Sequence, residues 1–341
     1  LGRDFNFSLL SNTAGMDINQ VLSIANTLVR RRFLEEMPDA YRFSHDKIRQ
    51  VTYEVIRPED RQKLHRRAGA SMQHISGKQA DQVELLAYHF HEGQVWDQSA
   101  VYHQQAGEHA QHLFANSEAV LYYSRALDAL RQMTDQVDPI MKYELYLGRE
   151  MVYALLGERE KQKQDLVTLE RLLEDPDLAA PAKRMKVALR WVEYWEAISN
   201  YPAALDAVQA ATKQAQLDGD LEAEQRAHLK WGQMLRHRGE YSEARQKLEM
   251  AFQLSLKSQN LLAQAISLCA LGVLFFDSGN YDAAIEHSLR ALEIGQPIGD
   301  QSLLAEVHNN LGGVYHYLAD FPKAIEHHQH ALGLRRAMGD R

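Results

Sequence analysis

Residues 231–244 read WGQMLRHRGEYSEA, residues 271–284 read LGVLFFDSGNYDAA, and residues 311–324 read LGGVYHYLADFPKA. The three stretches start 40 residues apart and share one arrangement. An apolar residue precedes a glycine (Gly232, Gly272, Gly312), an aromatic follows (Tyr241, Tyr281, Phe321), and an alanine comes next (Ala244, Ala284, Ala324). The same positions extend back to Trp191, Tyr201 and Ala204, and a second alanine recurs at Ala211, Ala251, Ala291 and Ala331. Self-similarity at a fixed period of 20 to 50 residues marks stacked supersecondary units, none of which buries its apolar face without neighbours. The chain is therefore expected to be an all-α solenoid, most of whose length is a surface for binding.

Each period divides into two amphipathic helices, with turns at Gly239-Glu240, Gly279-Asn280 and Ala319-Asp320. Glycine supplies the left-handed residue that closes the first helix. The second helix, such as Asp282 to Gln296, ends before Gly299-Asp300, a pairing that recurs as Gly219-Asp220 and Gly339-Asp340. There the glycine takes the position after the helix, and the aspartate caps the next one. Small residues recur where paired helices approach to about 8–10 Å. Two more degenerate units are placed at Gly107, with Ala119 and Ala126, and at Gly148, where Gln162 stands at an alanine position.

This small, aromatic and alanine spacing resembles the tetratricopeptide repeat in its long form, over residues 97–341 in about six repeats of roughly 40 residues. The resemblance implies a right-handed superhelix whose first helices line a concave groove for a protein or peptide. At the offsets where such first helices expose side chains stand Arg226, Gln233, Arg236 and His237, then Asp277, then Asn309, Asn310, His316 and Tyr317. Arg226 and Arg236 suit carboxylates, because guanidinium makes bidentate charge-assisted bonds. Leu229 stands where the carboxylate clamp of chaperone-binding relatives needs a lysine, which argues against chaperone-tail recognition.

Residues 1–76 have a different pattern. Ile18, Val21, Leu22, Ala25, Leu28 and Val29 have helical spacing after a capping Asp17. Phe33-Leu34 and Tyr41-Arg42-Phe43 flank Met37-Pro38-Asp39-Ala40 and read as a hairpin. Ser44 is expected to cap a helix from His45 to about Ile56, and Pro58 to open another through His74. Helix, hairpin, helix is a winged-helix order, joined to the array by a helical junction over residues 77–96. YRFSHDKIRQVTYEVI and RQKLHRRAGA resemble the winged-helix segment of STAND signalling ATPases, and ELLAYHFHEG and AVYHQQAGEHA continue that pattern. STAND proteins are AAA-type nucleotide switches that often carry a tetratricopeptide arm. Ser44-His45-Asp46 is similar to their Met-His-Asp motif, with Ser44 in place of Met. The resemblance gives His45, beside Asp46, the contact with the β-phosphate of ADP; the alternative is a histidine that only starts a helix.

The chain lacks a GxxxxGK[ST] loop and any HExxH or CxxC, so it is expected to hold no nucleotide, metal or other cofactor alone and not to be an enzyme. On the STAND reading, ATP or ADP binds an upstream nucleotide-binding domain of a longer protein, since the sequence opens at Leu1 and closes within a repeat at Arg341. Cys269 lies in an apolar run and is assigned to packing, while His327 and His330 are assigned to a solvated face. The single cysteine excludes an intrachain disulfide and fits the cytoplasm, and no stretch has the length of a membrane span. Net charge is −8, with 12 Lys+Arg against 9 Asp+Glu in residues 1–76 and 26 against 37 beyond. An acidic array gives nucleic acid no electrostatic footprint. The competing readings are a winged-helix DNA-binding regulator, for which Arg30, Arg31, Arg32 and Arg49 would form the phosphate edge, and a free-standing repeat scaffold.

Overall fold

The computed structural model describes residues 3–38, 40–76, 82–133, 137–178 and 180–339. Among these residues the chain forms 17 α-helices and three short strands, and its contacts divide it into two compact units, Leu1–Glu158 and Arg159–Arg341. No helix among the described residues is long and apolar enough to cross a membrane.

In the first unit, strand β1 (Asp4–Phe5) leads into α1 (Phe7–Ala14) and α2 (Ile18–Arg30). The hairpin β2 (Leu34–Glu36) and β3 (Tyr41–Phe43) follows, then α3 (Asp46–Val55) and α4 (Pro58–Ser76). The antiparallel sheet has the order β1-β3-β2, so β1, absent from the sequence reading along with α1, adds a third strand to the hairpin. Phe5, Ala25, Leu34 and Tyr41 form its buried core. Asp17 caps α2 by accepting from the Asn19 N–H at 2.9 Å, as expected. Ser44 does not cap α3: the cap position falls on His45, whose extended backbone precedes Asp46, and the Ser44 hydroxyl lies buried without a partner. Of the expected junction, residues 77–81 lie outside the described residues, as does Asp39 of the turn.

Four helices complete this unit: α5 (Val83–Glu92), α6 (Trp96–His112), α7 (Asn116–Gln132) and α8 (Pro139–Leu156). Tyr123 of α7 explains both degenerate repeat glycines. A Cβ on Gly107 of α6 would lie 2.9 Å from its ring, and one on Gly148 of α8 would lie 2.8 Å from it. One buried ring thus fixes both glycines.

The second unit is a regular array: α9 (Arg159–Leu172), α10 (Pro181–Ala197), α11 (Tyr201–Asp218), α12 (Leu221–His237), α13 (Tyr241–Lys257), α14 (Leu261–Asp277), α15 (Tyr281–Ile298), α16 (Gln301–Tyr317) and α17 (Phe321–Ala337). Its boundaries follow the expected chemistry. Asp220, Asn260 and Asp300 cap α12, α14 and α16, accepting from the N–H three residues on at 2.9, 3.0 and 2.9 Å. Gly239 and Gly279 take φ of +78° and +79° after the first helices, and Ala319 is held at +60° in the same place. Gly339 is left-handed too, while Asp340 lies outside the described residues. Gln162 is buried in α9 and accepts from Arg159 Nη1 at 2.7 Å.

First helices pack on one another from repeat to repeat, α10 on α12, α12 on α14 and α14 on α16, while each second helix meets chiefly the first helices beside it. The first helices therefore line the inside of the curve. Within each pair the small position admits a knob from the second helix: a Cβ on Gly232 would stand 2.6 Å from Leu248 Cγ, on Gly272 2.5 Å from Ser288 Oγ, and on Gly312 2.7 Å from the His328 ring. Leu248 is fully buried, whereas His328 is exposed and free to swing aside.

A methyl group in a filled core costs about 1–3 kcal/mol, against a helix-propensity gain of about 1 kcal/mol for alanine over glycine. Gly232→Ala should therefore destabilise by about 1–2 kcal/mol while Gly312→Ala is neutral or slightly stabilising, read from urea denaturation midpoints. Equal losses at both positions would show that the helix pairs do not depend on this contact.

Candidate functional site

The array's inner face carries a chain of polar contacts that crosses three first helices. Glu196, near the end of α10, receives Lys230 Nζ of α12 at 2.7 Å, and His237 Nδ1 lies 4.0 Å away. Arg236 Nη2 donates to His237 Nε2 at 2.7 Å, and Arg236 Nη1 pairs with Asp277 of α14. Accepting at Nε2 keeps His237 neutral, and burial together with the Arg236 cation holds its pKa below the usual histidine value. Arg236, which the sequence offered as a free partner for an acidic ligand, is already matched inside the protein.

Beyond Asp277 the contacts become aromatic. Tyr317 of α16 lies edge-on to Phe276 at 5.9 Å between centroids and 5.1 Å from Tyr281, while His316 meets Phe321 at 5.8 Å. Tyr317 is 66% exposed, so it adds apolar surface to the open face. Arg226 and Asn309 are exposed and Gln233 is half-buried. Asn310 is half-buried and donates to Cys269 Sγ at 3.3 Å. The Cys269 thiol is buried and its pKa is raised, as its packing assignment implies. The structure thus brings Arg236, His237 and Asp277 into one cluster, Tyr317 into a neighbouring one, and leaves Arg226 apart.

Glu196 and Lys230 were missed by the sequence reading. The signal was present, since Glu196 stands one period before Arg236. Also missed were histidine contacts away from the repeat register. His327, assigned to a solvated face, is half-buried: its Nδ1 lies 3.0 Å from His308 Nδ1, its ring stacks on Tyr315 at 5.5 Å, and His330 stacks on His308. In the first unit, buried His65 and His89 face each other with Nδ1 atoms 2.9 Å apart, and burial pushes His89 down to about 3. His91 points elsewhere, toward Trp96 and His103.

His45 is exposed at the start of α3, where its side chain makes no capping bond. Asp46 beside it is exposed and paired with Arg3 at 3.6 Å and Arg49 at 3.8 Å. Arg30, Arg31 and Arg32 are exposed at the end of α2, Arg32 with φ of +60°.

The tetratricopeptide repeat family matches residues 223–296 and 263–337. Among solved structures, the chain is similar to aspartyl phosphate phosphatase F from Bacillus subtilis, at 13% identity over 85% of this chain and 87% of that one, with a TM-score of 0.55. It is similar to a Rap protein complexed with competence and sporulation factor, at 13% identity over 86% and 92%, with a TM-score of 0.51. A third similarity, with a TM-score of 0.45 and 15% identity, is to a STAND protein with a tetratricopeptide repeat sensor from Pyrococcus horikoshii, of which this chain, matched along its whole length, spans 59%. At such identities the likeness is one of fold.

Arg236 and Asp277 are 19% and 30% exposed, so their pair is screened less than a surface pair. Asp277→Asn and Arg236→Gln should each destabilise by about 1 kcal/mol. A double-mutant cycle in urea should return a coupling of about 0.5 kcal/mol or more. Additive losses would mean that the two side chains do not act together.

Proposed function

We propose that the second unit is a recognition array whose inner face binds an extended protein or peptide segment. The observation that carries this is the ladder itself. With Lys230, Arg236 and His237 held by Glu196 and Asp277, the inner face offers uncharged groups, Gln233, Asn309 and the Tyr281–Tyr317 pair, that suit a peptide's amides and apolar side chains. The known complex of the similar Rap protein with competence and sporulation factor supports the same use of the fold. Arg226, exposed and outside the ladder, is the remaining groove cation of the predicted set.

A library of phage-displayed peptides selected against the full chain tests this. Selected peptides should bind wild type and lose about tenfold or more in affinity with Tyr317→Ala, the effect of removing an aromatic anchor. Failure to enrich any sequence, or binding untouched by both Tyr317→Ala and Asn309→Ala, would remove the inner face as the site.

The finer reading places this array in a STAND-type signalling ATPase, with residues 1–76 as the winged-helix domain, residues 77–96 as the junction and residues 97–341 as the sensor. It rests on the sequence resemblance, and the exposed, uncapped His45 at the start of α3 is compatible with a nucleotide contact. A contact to ADP favours the resting state only through its differential affinity. His45→Ala in the protein carrying the nucleotide-binding domain should therefore speed nucleotide exchange. Unchanged exchange and ADP affinity would leave His45 as a helix-start residue.

A further inference from the structure

In the first unit a cavity of about 300 Å³ lies among α1, α3, α4 and α5. Its apolar wall is Leu10, Ala14, Ile56, Leu64 and Ala68, and its polar lining is Thr13, Tyr53, Arg61, His65 and His89. No carboxylate lines it. Thr13 and His89 are only 5% and 2% exposed, yet Thr13 Oγ1 and His89 Nε2 have no hydrogen-bond partner. Buried polar groups are rarely left so, because an unmet donor has lost its hydration without a replacement.

The hydrogen-bond chain behind His89 fixes which atom carries the proton. Tyr53 Oη lies 2.9 Å from His65 Nε2, and His65 Nδ1 lies 2.9 Å from His89 Nδ1. A phenol is a better donor than a neutral imidazole N–H, and an imidazole nitrogen a better acceptor than a phenol oxygen. Tyr53 therefore donates to His65 Nε2, which puts the His65 proton on Nδ1, where it donates to His89 Nδ1. The remaining His89 proton is on Nε2, the atom left unpartnered. The Thr13 hydroxyl is free to donate as well, and the third group is a cation, the Arg61 guanidinium, held 5.1 Å over the Tyr53 ring.

We propose that this cavity binds a small carboxylic acid with an apolar body, its carboxylate received by His89 Nε2, Thr13 Oγ1 and Arg61, and its body seated against Leu10, Ile56 and Leu64. Donors without acceptors select an acceptor, the Arg61 cation selects an anion, and the carboxylate is the anion whose remainder fits an aliphatic wall; Glu92 acts on His65 from the neighbouring cavity, which Arg61 also lines, and does not line this one. The volume lies at the small end of the roughly 300–1,000 Å³ range of ligand sites.

The test is calorimetric titration of the full chain with hexanoate, hexanol and hexylamine, followed by the ¹⁵N signal of His89 Nε2. Hexanoate should saturate one site with a Kd on the order of millimolar or below and shift that signal. Hexanol should bind more weakly and hexylamine not at all. Thr13→Val preserves shape, and Arg61→Gln alters a half-buried residue; each should weaken hexanoate by about tenfold, the effect of losing a bond to a charged group, with the fold intact by circular dichroism. No saturable binding, as when water alone fills the cavity, would overturn the assignment. So would equal binding of hexylamine, or affinity unchanged in both variants.

Discussion

The second unit depends on one steric constraint, the close approach of paired helices at Gly232, Gly272 and Gly312. With no Cβ in the way, the second helix sets a side chain directly on the first helix's backbone: Leu248, Ser288 or His328. The knob changes while the hole does not. Leu248 fills its hole with apolar volume inside the cluster of Leu235, Ala244 and Leu271. Ser288 brings a hydroxyl that is buried without a partner, and His328 is a large ring at an exposed position. The backbone geometry is kept by what is absent at the glycine, so it tolerates chemical variety in the partner. In the first unit the same logic is inverted, with two glycines on different helices accommodating the single ring of Tyr123.

Close pairing sets the spacing of the first helices, and that spacing decides which side chains meet. Residues separated by one period plus one or two positions come within reach. Arg236 and Asp277 are 41 apart in sequence, as are Asn310 and Cys269, while buried Gln225 donates to Ser267, 42 away, at 3.1 Å. These bonds tie repeat to repeat in a direction that helix pairing leaves open, and in a repeat array such nearest-neighbour terms carry much of the stability. One of them, Arg236 with Asp277, also matches charge with charge on the inner face, while Arg226 stays exposed outside the set.

The array was legible in the sequence because each repeat restates its geometry: glycine at the close approach, aspartate or asparagine at the cap, and a left-handed residue at the turn. Ala319 stands at the turn position of Gly239 and Gly279 and takes a left-handed φ as they do, so register outweighs residue type there. The offsets selected Arg236, His237 and Asp277 without revealing that they bond one another, because a period locates side chains on a face and does not give their rotamers. Less was legible at the front. β1 has two residues, Asp4 and Phe5, which pair with Arg42 and Tyr41 far along the chain, and this leaves no local periodicity. Ser44 has the residue type of a cap, but the backbone turns helical one position later, and capping depends on that position rather than on composition. The histidine pairs were invisible for a related reason. His65 and His89 are 24 apart, and His308 and His327 are 19 apart, separations that match neither a helix turn nor the repeat.

Two ways of managing polar groups therefore coexist in one chain. On the inner face of the array, Glu196, Lys230, Arg236 and Asp277 pair two anions with two cations, and neutral His237 accepts from Arg236. In the first unit the relay from Tyr53 through His65 ends on an N–H with nothing to receive it. The relay also holds both imidazoles neutral. Burial lowers the pKa of each, against an opposing pull from Glu92 on His65, and charging either would set a cation near Arg61. An anion placed against His89 would reverse that balance, stabilising the imidazolium it touches, so occupancy of the cavity and protonation of the pair are thermodynamically linked. The packing of α1 and α5 against α4 is the element through which that linkage would be felt, because these helices build the cavity wall.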